Sequence, residues 1–436
     1  MNIYVIAARI LDKVDKQQGT IKSLVLSEKN ADIRKRLYAL ICESLKYRKV
    51  IEEVMDKTGI LKAEKHNKLT KSLGLVLVYD LVVGKGIKMA GQFKDIVLRH
   101  QTRLRAEFVK IKVKRKCAEN QMLIPEHIRN AIVLPRYLRV NTLKTATKDV
   151  LLHFASKGFS VKPGFPSRTS PVVQNTIIQD PHLPELLLLP SNTDLHQDRM
   201  LLDGKFVLQD KASCLPAFLL RPPKGSTVID ACAAPGNKTS HLAAIMQNSG
   251  TIYAFDKDKT RLDTLIRLTG RAGCSNINAI HQSFLDADPL DPKYSQVEYM
   301  LLDPSCSGSG IVGRMDHLLA DHSEENSSCE RLEALATFQK QVILHAFKFP
   351  KVRRIVYSTC SLHEQENESV VSHVLQNTDE FELVPNVFPQ WKRRGLESFE
   401  HADKVIRTVP EEDMTIGFFV ALFRRKEVKS ERKKKY

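Results

Sequence analysis

The chain has 436 residues, more than one ordinary domain holds, so two or three folding units are expected. Apolar residues make up 42% and charged residues 27%, a globular balance that excludes wholesale disorder and fibrous repeats. The formal net charge is +17, and no apolar run approaches the roughly 18 residues of a membrane-spanning helix, so no membrane partner is expected.

Residues 1–120 read as a basic helical domain. The start, Met1 to Arg9, lacks a basic leader and runs into Leu11-Asp12-Lys13, which predicts an amphipathic helix rather than a signal peptide. Leu37, Leu40, Ile41 and Leu45 fall at helical spacing, as do Leu73, Val76, Leu77 and Leu81, with Gly84-Lys85-Gly86 as a stop. This domain holds 27 Lys and Arg against 13 Asp and Glu, densest from Arg99 through Arg103 and Arg105 to Lys110, Lys112, Lys114, Arg115 and Lys116. A polyanion partner fits that excess, because Lys and Arg contacts to phosphates release counterions. A solvated helix face would carry the same residues.

Residues 121–223 read as a small α/β pre-catalytic module. Strand candidates Tyr137–Val140 and Val172–Ile178 alternate with Pro-rich turns, and a helix is predicted over 147–157. Residues 224–425 alternate strand and helix. The strands are predicted at 227–230, 251–256, 278–281, 299–303, 354–359 and 417–423, and the helices at 239–247, 259–272, 331–348 and 363–376. That alternation predicts an α/β fold with a largely parallel sheet covered on both faces, whose ligands gather at the carboxyl ends of the strands. Residues 426–436 read as a basic disordered tail. The eight cysteines contain no Cys-x-x-Cys pair and no close His partner, so neither a disulfide framework nor a metal site is expected.

The first strand of the last domain runs into Asp230-Ala-Cys-Ala-Ala-Pro-Gly236-Asn-Lys-Thr239. Small residues let a ligand approach the backbone, Gly236 permits an unusual turn, and the next helix begins with free N–H groups. Asp256 closes the second strand, at the place where a carboxylate accepts from ribose hydroxyls in nucleotide-type sites. The glycines of a P-loop or a dinucleotide fingerprint are missing. A nucleoside carrying one carboxylate and no pyrophosphate fits: S-adenosylmethionine. An ordinary tight strand-to-helix turn would look similar.

Cys306, in Asp303-Pro-Ser-Cys306-Ser-Gly-Ser-Gly310, and Cys360, in Tyr357-Ser-Thr-Cys360-Ser361, each follow a predicted strand. Cysteine is often just a small buried hydrophobe, but glycine and hydroxyl neighbours at a strand exit describe an open site. A thiolate suits attack on carbon 6 of a pyrimidine, a soft electrophile that hydroxyls attack poorly. Methylation of an exocyclic amine would need no thiol.

In that order, Asp-Ala-Cys-Ala-Ala-Pro-Gly-Asn-Lys-Thr, Leu-Asp-Pro-Ser-Cys-Ser-Gly and Tyr-Ser-Thr-Cys-Ser resemble the Nop/Sun-domain RNA (cytosine-5)-methyltransferases. Pro135-Arg-Tyr-Leu-Arg-Val-Asn141-Thr-Leu-Lys144 and Gln209-Asp210-Lys-Ala-Ser213 are similar to that family's pre-catalytic elements, so the likeness covers about 125–425. Ser305 and Asn237 most resemble its member five, which acts on large-subunit ribosomal RNA. The resemblance implies a Rossmann-like, seven-stranded S-adenosylmethionine-dependent methyltransferase domain preceded by an RRM-like module. It implies Cys360 as nucleophile and Cys306 as the residue that assists product release. It also implies that Cys232, Ala233, Ala234, Pro235, Gly236, Asn237 and Lys238 line the methionine end of the cofactor. Asp256 would take the ribose, Arg261 a neighbouring contact, and Asp303 would lie near the cofactor and the cytosine amino group. Ribosomal RNA as partner, a monomer, and a nuclear and nucleolar location follow from the same likeness.

One departure stands out. Ser283-Phe284 occupies the place of the family's Asp-Phe, whose carboxylate accepts from the adenine amine; Asp286 is the nearest alternative. That departure keeps a rival reading open, a non-catalytic RNA-binding ribosome-assembly factor on a methyltransferase scaffold. A DNA cytosine methyltransferase is disfavoured by Thr-Cys-Ser and by the lack of a second base-reading domain after the catalytic one. His281, His345 and His363 read as ordinary surface or packing residues.

Overall fold

The computed structural model describes residues 2–427 apart from 17, 29, 88–90, 131, 168–169 and 313–324, so most of the predicted tail lies outside the described residues. The described residues form two compact units, one up to residue 130 and one comprising 132–312 and 325–427.

The first unit is helical in its described residues. Helix Ile3–Asp15 buries Tyr4, Ile6, Ala7, Ile10, Leu11 and Val14 and exposes Arg9 and Lys13, the amphipathic pattern expected. The central helix Lys71–Val82 is buried on nearly every side from Ser72 to Tyr79, which is why its sequence is apolar all round. Two hydrogen bonds tie these helices together, from Tyr4 Oη to Asp80 at 2.5 Å and from Ser72 Oγ to Asp12 at 2.5 Å. Helices Gln92–Arg99 and Gln101–Lys114 carry the densest cations on their exposed faces.

The second unit holds two sheets. Strands β1 (Arg136–Val140), β2 (Ser160–Lys162), β3 (Thr176–Gln179), β4 (Leu186–Leu189) and β5 (Phe206–Leu208) form the first, in the order β2-β3-β4-β1-β5. Helix Thr147–Ser156 closes one face of it, with Val150 and Phe154 packed among Leu138, Val140, Ile177, Leu187, Leu189 and Phe206.

The second sheet comprises β6 (Thr227–Asp230), β7 (Thr251–Asp256), β8 (Ile277–His281), β9 (Tyr299–Leu302), β10 (Arg354–Thr359), β11 (Phe381–Leu383), β12 (Val405–Thr408) and β13 (Phe418–Arg425). Seven strands make a continuous path, β11-β13-β10-β9-β6-β7-β8, and β12 is an eighth that pairs with β13 beside β11. Strands β10, β9, β6, β7 and β8 are parallel, and β13 runs antiparallel against β10. Strand order reverses between β6 and its neighbours β9 and β7, the switch point where α/β sheets open a crevice.

Residues 121–223 and 224–425 read as separate stretches in the sequence, and from Ile132 onward both lie in one compact unit. Buried polar groups join them. Asn141 donates to the carbonyls of Gly204 at 2.8 Å and Ala272 at 2.7 Å, and Tyr137 Oη donates to the Met414 carbonyl at 2.8 Å. Arg139, 1% exposed, donates to Gln209 at 2.7 Å, to Ser240 Oγ at 2.9 Å and to the Asn237 carbonyl at 3.3 Å.

Candidate active site

The loop after β6 turns sharply because Gly236 sits at φ +100°, a region side chains avoid; an added Cβ would lie 3.1 Å from Leu265 and 3.0 Å from Thr269. Helix Asn237–Ile245 starts directly after it with no side-chain cap among the described residues, leaving the N–H groups of its first turn for a ligand. Below the loop, Asp230 is fully buried, with Oδ2 accepting from Thr239 at 2.8 Å and Oδ1 unpartnered. Burial pushes its carboxyl up to about 7, and the nearby Asp303 adds to the effect. Burial likewise raises the Cys232 thiol.

Asp256 closes β7 and is 5% exposed. It accepts from the backbone N–H of Ala234 at 3.3 Å and of Asp258 at 2.9 Å, and Arg261 Nη1 stands 3.8 Å away. Arg261 also donates to the Ala234 carbonyl at 2.7 Å, so the cofactor loop and the second strand end are stitched together. The loop residues Cys232 to Lys238, Asp256 and Arg261 therefore form one cluster.

Strands β9 and β10 are neighbours, and their carboxyl ends bring the two cysteine loops side by side. The Sγ atoms of Cys306 and Cys360 are 3.1 Å apart. The hydrogen bond with Cys360, together with burial, holds the Cys306 thiol above its ordinary range, and either sulfur can be the donor across the contact. Asp303, at the end of β9, pairs with Lys238 Nζ at 2.7 Å and accepts from Ser358 Oγ at 2.7 Å. Burial disfavours the Lys238 charge, but the Asp303 carboxylate outweighs it and the amine is raised. Lys238 thus links the cofactor loop to the cysteine loops.

The backbone also locks these loops. Gly310 N–H donates to the Cys360 carbonyl at 3.0 Å and Gly417 N–H to the Gly310 carbonyl at 2.8 Å, and a Cβ on Gly310 would run into the Gly417 carbonyl. Ser307, Ser309 and Ser361, on the same two loops, share hydroxyl hydrogen bonds of 3.1–3.3 Å.

One expectation changes. The α-helix after Cys360 begins at Glu368, not His363; a single 3-10 turn, Glu364–Glu366, precedes it, so no helix N-terminus faces the thiol from His363. Ser283 spends its hydroxyl on the Leu285 N–H at 3.3 Å, capping its own turn. Arg139, Ser358, Gln339, Glu366 and Asn367 support the site and were not foreseen. Arg139 and Ser358 lay within segments already singled out, whereas Gln339, Glu366 and Asn367 show no local signal, because most of their partners are distant in sequence.

Comparison with known proteins agrees along the chain. Residues 217–424 match the model for 16S rRNA methyltransferase RsmB/F. Residues 35–124 and 134–209 match the N-terminal and ferredoxin-like domains of NOL1/NOP2/Sun domain family member 5. A Mus musculus protein named 28S rRNA (cytosine-C(5))-methyltransferase is 47% identical, over 98% of this chain and 92% of its own. The Schizosaccharomyces pombe 25S rRNA (cytosine-C(5))-methyltransferase is 41% identical, over 97% and 91%. Among solved structures, a methyltransferase homologue protein from Pyrococcus horikoshii is similar with a TM-score of 0.55 and 25% identity, covering 84% of this chain and 99% of its own. With the two cysteine loops, the cofactor loop and all three matched segments in one chain, the protein belongs to the NOL1/NOP2/Sun domain family, in its member-five branch.

Proposed function

We propose that the chain is an S-adenosylmethionine-dependent methyltransferase acting on carbon 5 of a cytosine in large-subunit ribosomal RNA. The observation that carries this reading is the 3.1 Å approach of the Cys306 and Cys360 sulfurs beside an uncapped helix and the Lys238–Asp303 pair. The names of the mouse and fission-yeast relatives support the ribosomal substrate.

The residues present fit the cofactor. Gly236 leaves no side chain between loop and ligand, the first turn of Asn237–Ile245 offers N–H groups to a carboxylate, and Asp230 Oδ1 is a buried acceptor without a donor. In this reading Cys232 to Lys238 hold the methionine end, Asp256 the ribose, and Arg261 braces both. S-adenosylmethionine supplies the methyl group that carbon 5 takes up.

The protein's own residues do the rest. The target base must leave its stack to reach the thiols. The Cys360 sulfur attacks carbon 6, a C–S bond forms, and carbon 5 becomes nucleophilic. Cys306, its sulfur 3.1 Å away, stands ready with its S–H. A water molecule then takes the carbon-5 proton, the freed C–H pair restores the 5,6 double bond, and the C–S pair leaves on Cys360. The same S–H then assists departure. Asp303, held by Lys238 and Ser358, is an acceptor for the cytosine amino group.

The test is covalent trapping. Cys306→Ala should let attack proceed and slow release, so an RNA adduct accumulates that Cys360→Ala abolishes; an adduct that persists without Cys360 overturns the roles. In the same reading the protein is a nucleolar monomer, checked by its mass in solution and by imaging of the tagged chain. Bisulfite sequencing after its loss identifies the base.

A further inference from the structure

Two consecutive buried residues, Glu366 and Asn367, reach opposite sides of the cysteine pair. Both are 0% exposed. Glu366 Oε1 accepts from the Ser307 N–H at 2.9 Å and from Gln339 Nε2 at 3.0 Å, while the same Gln339 nitrogen donates to the Ser305 carbonyl at 3.0 Å. The peptide groups on either side of Cys306 are therefore gripped by one carboxylate and one amide. Tyr357 Oη donates to the Glu366 carbonyl at 2.6 Å and to Gln339 Oε1 at 3.2 Å, fixing both from beneath.

Asn367 does the equivalent for the other thiol. Its Nδ2 donates to the Ser361 carbonyl at 2.9 Å, and its Oδ1 accepts from Thr359 Oγ1 at 2.5 Å, so the residues before and after Cys360 are held. Glu368 anchors the segment from behind: its carboxylate takes both arms of Arg407 at 2.6 Å, and Arg407 also donates to the Leu362 carbonyl at 3.1 Å. A bidentate buried pair of this kind fixes geometry as well as adding energy.

We propose that Glu366 and Asn367 are positioning residues with divided tasks, Glu366 setting the Cys306 thiol for product release and Asn367 setting the Cys360 thiol for attack. This rests on the thiol roles given above. The chain Ser307–Glu366–Asn367–Ser361 connects the two loops through adjacent residues, so the 3.1 Å sulfur spacing is a property of that dipeptide as well as of the sheet.

The experiment uses the full chain, ribosomal RNA substrate and S-adenosylmethionine, reading the covalent RNA adduct on denaturing gels beside steady-state methylation. Glu366→Ala should behave like Cys306→Ala, with adduct raised about tenfold and turnover lowered about tenfold, a loss of roughly 1.4 kcal/mol in the release step. Glu366→Gln should restore release, since the amide oxygen still accepts from Ser307. Asn367→Ala should slow adduct formation at least tenfold, in the Cys306→Ala background too. If Glu366→Ala does not fold by thermal melt, Gln339→Ala, which frees the Ser305 carbonyl, takes its place with the same expected adduct. Equal loss of adduct and turnover in the Glu366 and Asn367 variants overturns the division of tasks. If Cys306→Ala itself yields no adduct, the thiol roles fail and the proposal falls with them; an adduct in Cys306→Ala but not in Glu366→Ala sinks the positioning claim alone.

Discussion

At the residue scale, Lys238 and Asp303 form a pair whose value lies in what is left when one is removed. Lys238→Met strands the Asp303 carboxylate with Ser358 alone, and an unpaired acceptor in a confined site costs about 1–3 kcal/mol. Methylation should fall by roughly 10–100-fold in single-turnover assays. Asp230 makes a pH prediction. Its folded carboxyl titrates near 7, above the ordinary 3.8, so the folded state holds a proton that the unfolded chain releases between those values. Stability from this group is present below pH 4 and is lost as pH rises toward 7. Asp230→Asn does not titrate, so its Tm advantage over the unsubstituted protein should be small at pH 4 and widest at pH 8. Ser283 gives a third. In the family likeness this position meets the adenine amine, and a charged acceptor outperforms a hydroxyl by about 1 kcal/mol. Ser283→Asp should tighten S-adenosylmethionine about fivefold by calorimetry, and an unchanged Kd would remove position 283 from the adenine pocket.

At the scale of elements, strands on both sides of the cofactor loop were legible in the sequence because they alternate with helices and end in small or acidic residues. Strands β6, β7 and β10 lie where they were expected. Strand β4 was not legible: Leu186 to Leu189 are all buried, and an unbroken leucine run carries no periodicity. Strand β12 hid for another reason. Its Arg407 is buried at 6% exposure and reads as a surface residue until Glu368 is known to face it. Glu366, Asn367 and Gln339 were illegible likewise, since a polar run can be a solvated turn or a clasp, and only the fold says which. Gly310 carries this scale's prediction. A methyl group there meets the Gly417 carbonyl, so Gly310→Ala must shift the Cys306 loop away from Cys360. Activity should drop at least tenfold, with cofactor affinity changed less than twofold.

At the scale of the whole molecule, charge and chemistry are carried by different stretches of sequence. Residues 1–120 hold 27 cations against 13 anions, and on helix Gln101–Lys114 Arg103, Arg105, Lys110 and Lys114 are exposed. Arg103, Lys110 and Lys114 fall seven and eleven residues apart, on one side of the helix. If that side meets RNA phosphates, replacing the three by Glu should weaken RNA binding and reduce the log–log salt slope by about 2. Binding of S-adenosylmethionine should not change. The motifs made the reaction class readable because each sits at a strand exit. Arg139, Asn141 and Tyr137 bind the small sheet to the large one through buried polar contacts that composition does not reveal.

The adjacency of β9 and β10 has a consequence for how such chemistry can change over time. Parallel neighbours in register place any two residues at equivalent exits about one interstrand spacing, ~4.8 Å, apart. A lineage can therefore move its attacking atom from one exit to the other by exchanging single side chains, while the scaffold and the methyl-donor pocket stay as they were.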